Sequence, residues 1–262
     1  KERVNSVTDV VNEGDEVLYP NPGYPIYESQ IQYLGGVALP YGYDSTPAGF
    51  RIQREKLEAA VTPRTVALIY NNGQNPLSAE SDDEEMQWVA EFVLRHNLLL
   101  LSDEAYFHIR YSGKSRSIVS LPGLRDRTIF LHGFSKAWAM TGFRLGYACG
   151  PAELIEAMMK VHQYTMLCAS SLAQKAAIEA LTRPDIDVGE MVHEYRRRRN
   201  FIASAFAEMG LECHRPLGAF YAFPSVAKFK LPAKDFALKF LAEEKVALVP
   251  GTAFGDCGEG FV

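Results

Sequence analysis

The sequence predicts an α/β fold: a mainly parallel sheet covered by helices on both faces, followed by a smaller C-terminal α+β domain. Three observations predict it. Short apolar runs alternate with amphipathic helical stretches through most of the chain, which is the pattern of β-α-β units. Uninterrupted runs such as "LLLL" (Leu98–Leu101) suit strands buried on both faces, as parallel strands are. After about Asp185 the alternation gives way to one long helical stretch followed by short mixed elements.

In chain order, the strand candidates are Glu16–Tyr19, Val37–Pro40, Val66–Tyr70, Leu98–Ser102, Thr128–His132 and Leu145–Cys149. The clearest helix is Asp82–His96. It opens on a capping box, Ser81-x-x-Glu84, and repeats Met86, Val89, Phe92 and Val93 at helical spacing. Further on, a helix over Val188–Met209 precedes a strand (Ala219–Phe223), a helix (Lys234–Lys245) and a last strand (Val246–Val249). The expected division is a large domain over 1–185 and a small one over 186–262.

Composition narrows the function. With 47% hydrophobic and 23% charged residues the chain reads as a globular protein with a sizeable core. A net charge of -5 offers no electrostatic reason to expect nucleic acid. The one dense basic run, Arg196–Arg199, falls in a helical pattern and reads as a solvated face. Cys149, Cys168, Cys213 and Cys257 are widely spaced, which argues against a disulfide framework or structural zinc and for a reducing cytoplasm. There is no membrane-length apolar run and no signal-peptide core.

Chemistry concentrates where strands end. "LLLLSDEAY" delivers Asp103 and Tyr106, "ALIYNNGQNP" delivers Asn75, and "IFLHGFSK" delivers Lys136, all of which a parallel sheet can bring to one edge. Arg144 follows Lys136 by eight residues in an otherwise apolar, glycine-punctuated segment. No glycine-rich nucleotide loop occurs, and the six histidines have no metal-ligand spacing, so no metal is expected. A lysine, an arginine, a carboxylate, a phenol and an amide together suit pyridoxal 5'-phosphate, which needs an amine for its aldehyde, a guanidinium for its phosphate, an anion for its ring nitrogen and donors for its phenolic oxygen.

The chain resembles the class I/II aminotransferases, pyridoxal-phosphate enzymes of the aspartate-aminotransferase fold (fold type I). The resemblance runs from "EGDEVLYPNPGYPIY" to "VALVPGTAFG", and "SKAWAMTGFRLGY" matches the family's S-K-x(5)-G-x-R-x-G signature. It implies that Lys136 forms the Schiff base and shuttles the substrate proton, and that Arg144 clamps the phosphate. Asp103 would face the pyridine nitrogen, Tyr106 and Asn75 the phenolic oxygen, and Tyr24 the ring face. Ser135 remains as a phosphate donor where the family often adds a serine at the position of Gly133. The family's "NPTG" reads "NPLS" here, over Asn75–Ser78.

The resemblance also implies an upstream glycine/serine turn and, beyond the "GEGFV" segment, an arginine for the substrate carboxylate. Neither occurs in Lys1–Val262, so both domains are expected to be pieces of longer ones. The expected activity is ping-pong transfer of an amino group between an L-amino acid and a 2-oxo acid, in a cytoplasmic homodimer with no nucleic-acid or membrane partner. Elimination, decarboxylation or acyl transfer on the same scaffold, or a ligand-sensing module of a transcription regulator, are the alternatives.

Overall fold

The computed structural model describes residues 10–46, 49–183 and 188–262. The expected domain boundary at 185/186 lies outside the described residues. A six-stranded sheet is built from β1 (Glu16–Pro20), β2 (Val37–Tyr41), β5 (Thr65–Asn71), β6 (Leu99–Asp103), β7 (Thr128–Gly133) and β8 (Gly146–Cys149). Its order is β2-β1-β5-β6-β7-β8. Every neighbouring pair is parallel except β7 and β8.

Alternate residues of the central strands feed two separate cores, which is why these strands read as continuous apolar runs. On one face Val17, Tyr19, Ala67, Ile69 and Leu101 pack with Tyr27 and Ile31 of helix α1 (Ile26–Tyr33). On the other, Leu18, Leu68, Tyr70 and Leu100 pack with Met86, Val89, Phe92 and Val93 of helix α3 (Asp83–Arg95). Helix α2 (Arg54–Ala59) adds Leu57 to that second core. A separate hairpin, β3 (Tyr43–Thr46) with β4 (Gly49–Ile52), has no counterpart in the sequence reading.

Helix α3 starts one residue later than expected. Asp82, not Ser81, is the N-cap, and its carboxylate accepts the Glu85 N–H at 2.9 Å. The Ser81 N–H is engaged instead by the Asn72 side chain at 3.1 Å, which holds Ser81 in the β5–α3 loop. Glu84 reaches Arg54 at 3.0 Å rather than back to the cap.

Beyond β7 come α4 (Phe134–Ala137), α5 (Ala152–Thr165), α6 (Ser171–Thr182), α7 (Gly189–Glu208) and α8 (Ala233–Glu244). The strands expected over Ala219–Phe223 and Val246–Val249 do not form. Ala219 has a left-handed φ of 53°, which breaks the extended backbone at its first residue. Val246 and Val249 are exposed and lack a ladder partner among the described residues. What β structure this part contains is two bridges, Arg110 to Gly218 and Ser225 to Phe261. Among the described residues no helix is long and apolar enough to cross a membrane.

Candidate active site

The chain runs from β1 outward to β2, then returns to β5 on the opposite side of β1. Parallel sheets leave a crevice at such a reversal, beyond the carboxyl ends of the strands. A cleft of roughly 320 Å³ opens at this edge. Tyr24, Asn75, Asp103, Tyr106, Ser135, Lys136 and Arg144 all line it, so the fold brings together every residue singled out from the sequence.

Asp103 is the last residue of β6, in register with Asn71 and Leu131, and is 1% exposed. Its carboxylate accepts the Tyr27 hydroxyl at 2.5 Å and the Ala105 N–H at 3.2 Å. Tyr27 was not legible as a site residue. It lies on the same buried stripe of α1 as Ile31 and so looks like core. Tyr24, three residues earlier, meets its ring edge-on at 5.8 Å between centroids.

Asn75 is placed by a relay of amides. Its N–H donates to Asn71 Oδ1 at 3.0 Å, and Asn71 Nδ2 donates to the Asp103 carbonyl at 2.9 Å. The loop around it is tied to the end of β1 by Gln74, whose Nε2 donates to the Pro22 carbonyl at 2.6 Å. Gly73, with φ of 70°, lets the loop approach Tyr106. A Cβ there would lie 2.9 Å from the Tyr106 Cβ. Asn75 Oδ1 is buried with no hydrogen-bond partner among the described residues.

Lys136 lies in α4, and its Nζ is 5.5 Å from the Tyr106 ring centroid and 5.2 Å from that of Phe220. Arg144 is exposed, has a left-handed φ of 54°, and donates to the Thr141 carbonyl at 2.8 Å. It makes no ion pair among the described residues, so its charge is not committed to a structural carboxylate. Such backbone strain in a residue other than glycine is a frequent mark of functional segments.

Two further residues of the cleft escaped the sequence reading. Tyr221 pairs its hydroxyl with that of Tyr106. His132 is 5% exposed and stacks on Tyr147 at 5.5 Å. The Gly133 N–H donates to its Nδ1 at 2.6 Å.

Glu104, beside Asp103, is also 1% exposed, and its carboxyl accepts the hydroxyls of Ser102 and Ser117, both at 2.8 Å. Burial pushes this carboxyl up from 4.5 to about 7 against those hydroxyls, and the Asp103 charge adds to the rise. An acid held protonated by the fold contributes stability that is full below its unfolded value and is lost as pH rises through the folded one. The unfolding free energy should therefore fall as pH rises from 4.5 through about 7. Glu104→Gln should flatten part of that fall, as measured by urea unfolding at about pH 5 and about pH 8. Equal slopes in parent and variant would show that Glu104 titrates normally.

A half-buried lysine, a buried carboxylate and paired phenols at the carboxyl edge of a parallel sheet define a class of α/β proteins with a lysine-bearing ligand cleft. The chain belongs to the aminotransferase class I and II family, whose model matches residues 6–261. Among curated relatives it is 40% identical over 257 residues to an aromatic-amino-acid aminotransferase of Thermococcus litoralis, covering 96% of this chain and 65% of that one. It is equally similar, with the same coverage, to an aspartate aminotransferase of Pyrococcus abyssi. The solved aromatic aminotransferase of Pyrococcus horikoshii superposes with a TM-score of 0.95 at 38% identity, over 99% of this chain and 70% of that chain. The Thermus thermophilus aspartate aminotransferase solved with maleate gives 0.91 at 34%, over 100% and 68%. The chain spans 63–66% of the length of the first curated relatives it matches.

Proposed function

We propose that the protein is a pyridoxal-phosphate-dependent aminotransferase that moves an amino group between an L-amino acid and a 2-oxo acid by a ping-pong mechanism. The observation that carries the proposal is the convergence of Lys136, Asp103, Tyr106, Asn75 and Arg144 on one cleft, in a chain of this family. The donor set fits the cofactor. Asp103 offers a buried carboxylate already oriented by Tyr27, and the Asn75 amide carries a buried oxygen without a partner among the described residues, so it can rotate to present either end. When bound, pyridoxal phosphate supplies the electron sink that stabilises charge at the substrate's α-carbon.

The remaining work falls to this chain's own side chains. Lys136 provides the amine that holds the aldehyde carbon and, when released, accepts and returns a proton at Nζ. Asp103 would hold the proton of the ring nitrogen, from a site buried enough to make that charge pair strong. Arg144, with Ser135 nearby, binds the phosphate. Its planar, permanently charged fork suits a dianion. Tyr106 and Asn75 would hydrogen-bond the phenolic oxygen, and Tyr24 would cover the ring.

Half-reaction analysis tests the reading. The cofactor-loaded protein given an amino acid alone should release one equivalent of 2-oxo acid and stop in the amine form, with no ammonia. Continuous ammonia release would point to elimination chemistry and overturn transamination.

The assembly belongs to the same proposal: a cytoplasmic homodimer. The exposed apolar side chains Tyr164, Leu167, Leu172 and Leu181, on and between α5 and α6, support a buried partner face there. The four cysteines are unpaired, and three of them are exposed, which supports a reducing compartment. Sedimentation equilibrium should give the mass of two chains, and a one-chain mass would remove the dimer.

A further inference from the structure

The hydroxyl pair in the cleft has a support that the expected site does not include. Ser78, the last residue of "NPLS", stands where the family's usual motif has glycine, and it keeps a left-handed φ of 50°. Its hydroxyl donates to the Tyr221 carbonyl at 2.9 Å and accepts the Tyr221 N–H at 3.1 Å. One side chain thus ties both backbone groups of one tyrosine. The Ser78 carbonyl also accepts the Leu217 N–H at 3.3 Å, so the whole 217–221 segment is anchored to this loop. From that anchor the Tyr221 phenol reaches the Tyr106 phenol. Tyr106 is held on its other sides: it is 2% exposed, its ring meets Phe220 edge-on at 5.4 Å, and Gly73 presses against its Cβ.

A phenol has one proton to give and two lone pairs to accept with. When Tyr221 donates to Tyr106, the Tyr106 hydroxyl does not spend its own proton on Tyr221, and both residues line the cleft. Accepting one hydrogen bond also makes a hydroxyl a stronger donor in the next. We propose that Tyr221, fixed by Ser78, is a positioning residue that directs the Tyr106 hydroxyl into the cleft and so lowers the pH at which the imine between Lys136 and pyridoxal phosphate loses its proton. The proposal rests on the reading of Lys136 and Tyr106 given above. The chemistry is simple. A donor to the phenolic oxygen draws away negative charge that otherwise holds the imine proton, so the proton leaves to solvent more readily. No other bond changes.

The test is a pH titration of the visible absorbance of the cofactor-loaded protein, in the parent and in Tyr106→Phe, Tyr221→Phe, the double variant and Ser78→Ala. Tyr221→Phe should raise the imine pKa by about half to one pH unit, the worth of one neutral hydrogen bond. Tyr106→Phe should raise it further, and the double variant should match Tyr106→Phe alone, because Tyr221 acts only through Tyr106. Ser78→Ala should move it in the same direction by less, and it provides the test should Tyr221→Phe fail to fold. A Tyr221→Phe protein that is less stable but titrates like the parent would overturn the proposal, as would additive shifts in the double variant. A parent protein that forms no imine absorbance with pyridoxal phosphate would overturn the underlying reading and this proposal with it.

Discussion

Replacing Lys136 with alanine is expected to abolish amino-group transfer and the visible imine absorbance together. The effect is large because one residue serves two steps. In the proposed reaction its amine would anchor the cofactor's aldehyde, and the same nitrogen, once released, would be the base for the proton on the substrate's α-carbon. Among the described residues no other lysine lines the cleft, so no second amine there can take its place. Arginine is no replacement, since its guanidinium remains protonated and does not form the imine. Removing a nucleophile that also serves as the general base typically removes several orders of magnitude in rate. Measurable transfer at the parent rate by Lys136→Ala would show that the cleft's lysine is only a structural cation over the Tyr106 and Phe220 rings.

Asp103→Asn carries the second largest expected loss. The carboxylate is buried, oriented by Tyr27, and anchored at the end of β6, so its charge acts with little screening on whatever the cleft holds. An amide keeps the shape but cannot keep a ring nitrogen protonated. The expected cost is about 3 kcal/mol or more in the barrier, which is more than about a hundred-fold in kcat. Asp103→Glu should lose less, because the charge is retained and only its placement suffers. Steady-state rates of the two variants decide the matter. An Asn variant as active as the parent would reduce Asp103 to a structural role, through its bonds with the Tyr27 hydroxyl and the Ala105 N–H.

Much of this site was legible because the motif residues sit at strand ends, where the backbone leaves little choice of direction. The runs that became β5 and β6 are buried on both faces, so composition alone marks them. The hairpin of "YDST" and "GFRI" was not legible: it is short, half polar, and without a clean alternation of two. The start of α3 was misplaced by one residue because Ser81, Asp82 and Asp83 are all competent caps, and only the Asn72 contact to Ser81 decides between them. In the C-terminal part, "AFYAF" has the composition of a strand, but the left-handed Ala219 cannot be read from composition. Two of the missed residues share one cause. Tyr27 and Tyr221 lie in aromatic-rich stretches that read as core, and their roles appear only through hydroxyl partners supplied by distant segments, Asp103 and Tyr106.

The departures from the family motif are informative on the same physical grounds. "NPLS" in place of "NPTG" removes a glycine at a left-handed position, which should strain the loop. The serine that replaces it returns two hydrogen bonds to Tyr221 that glycine could not make. The substitution therefore exchanges backbone ease for a tether between the 72–81 loop and the segment bearing Tyr221.

The central claim is that Lys136 carries the cofactor. Borohydride reduction of the full-length protein incubated with pyridoxal phosphate, followed by peptide mapping, tests it most directly. A single pyridoxyl group is expected on the peptide containing Lys136. Label on Lys114 or Lys160 instead, with Lys136 unmodified, would contradict it.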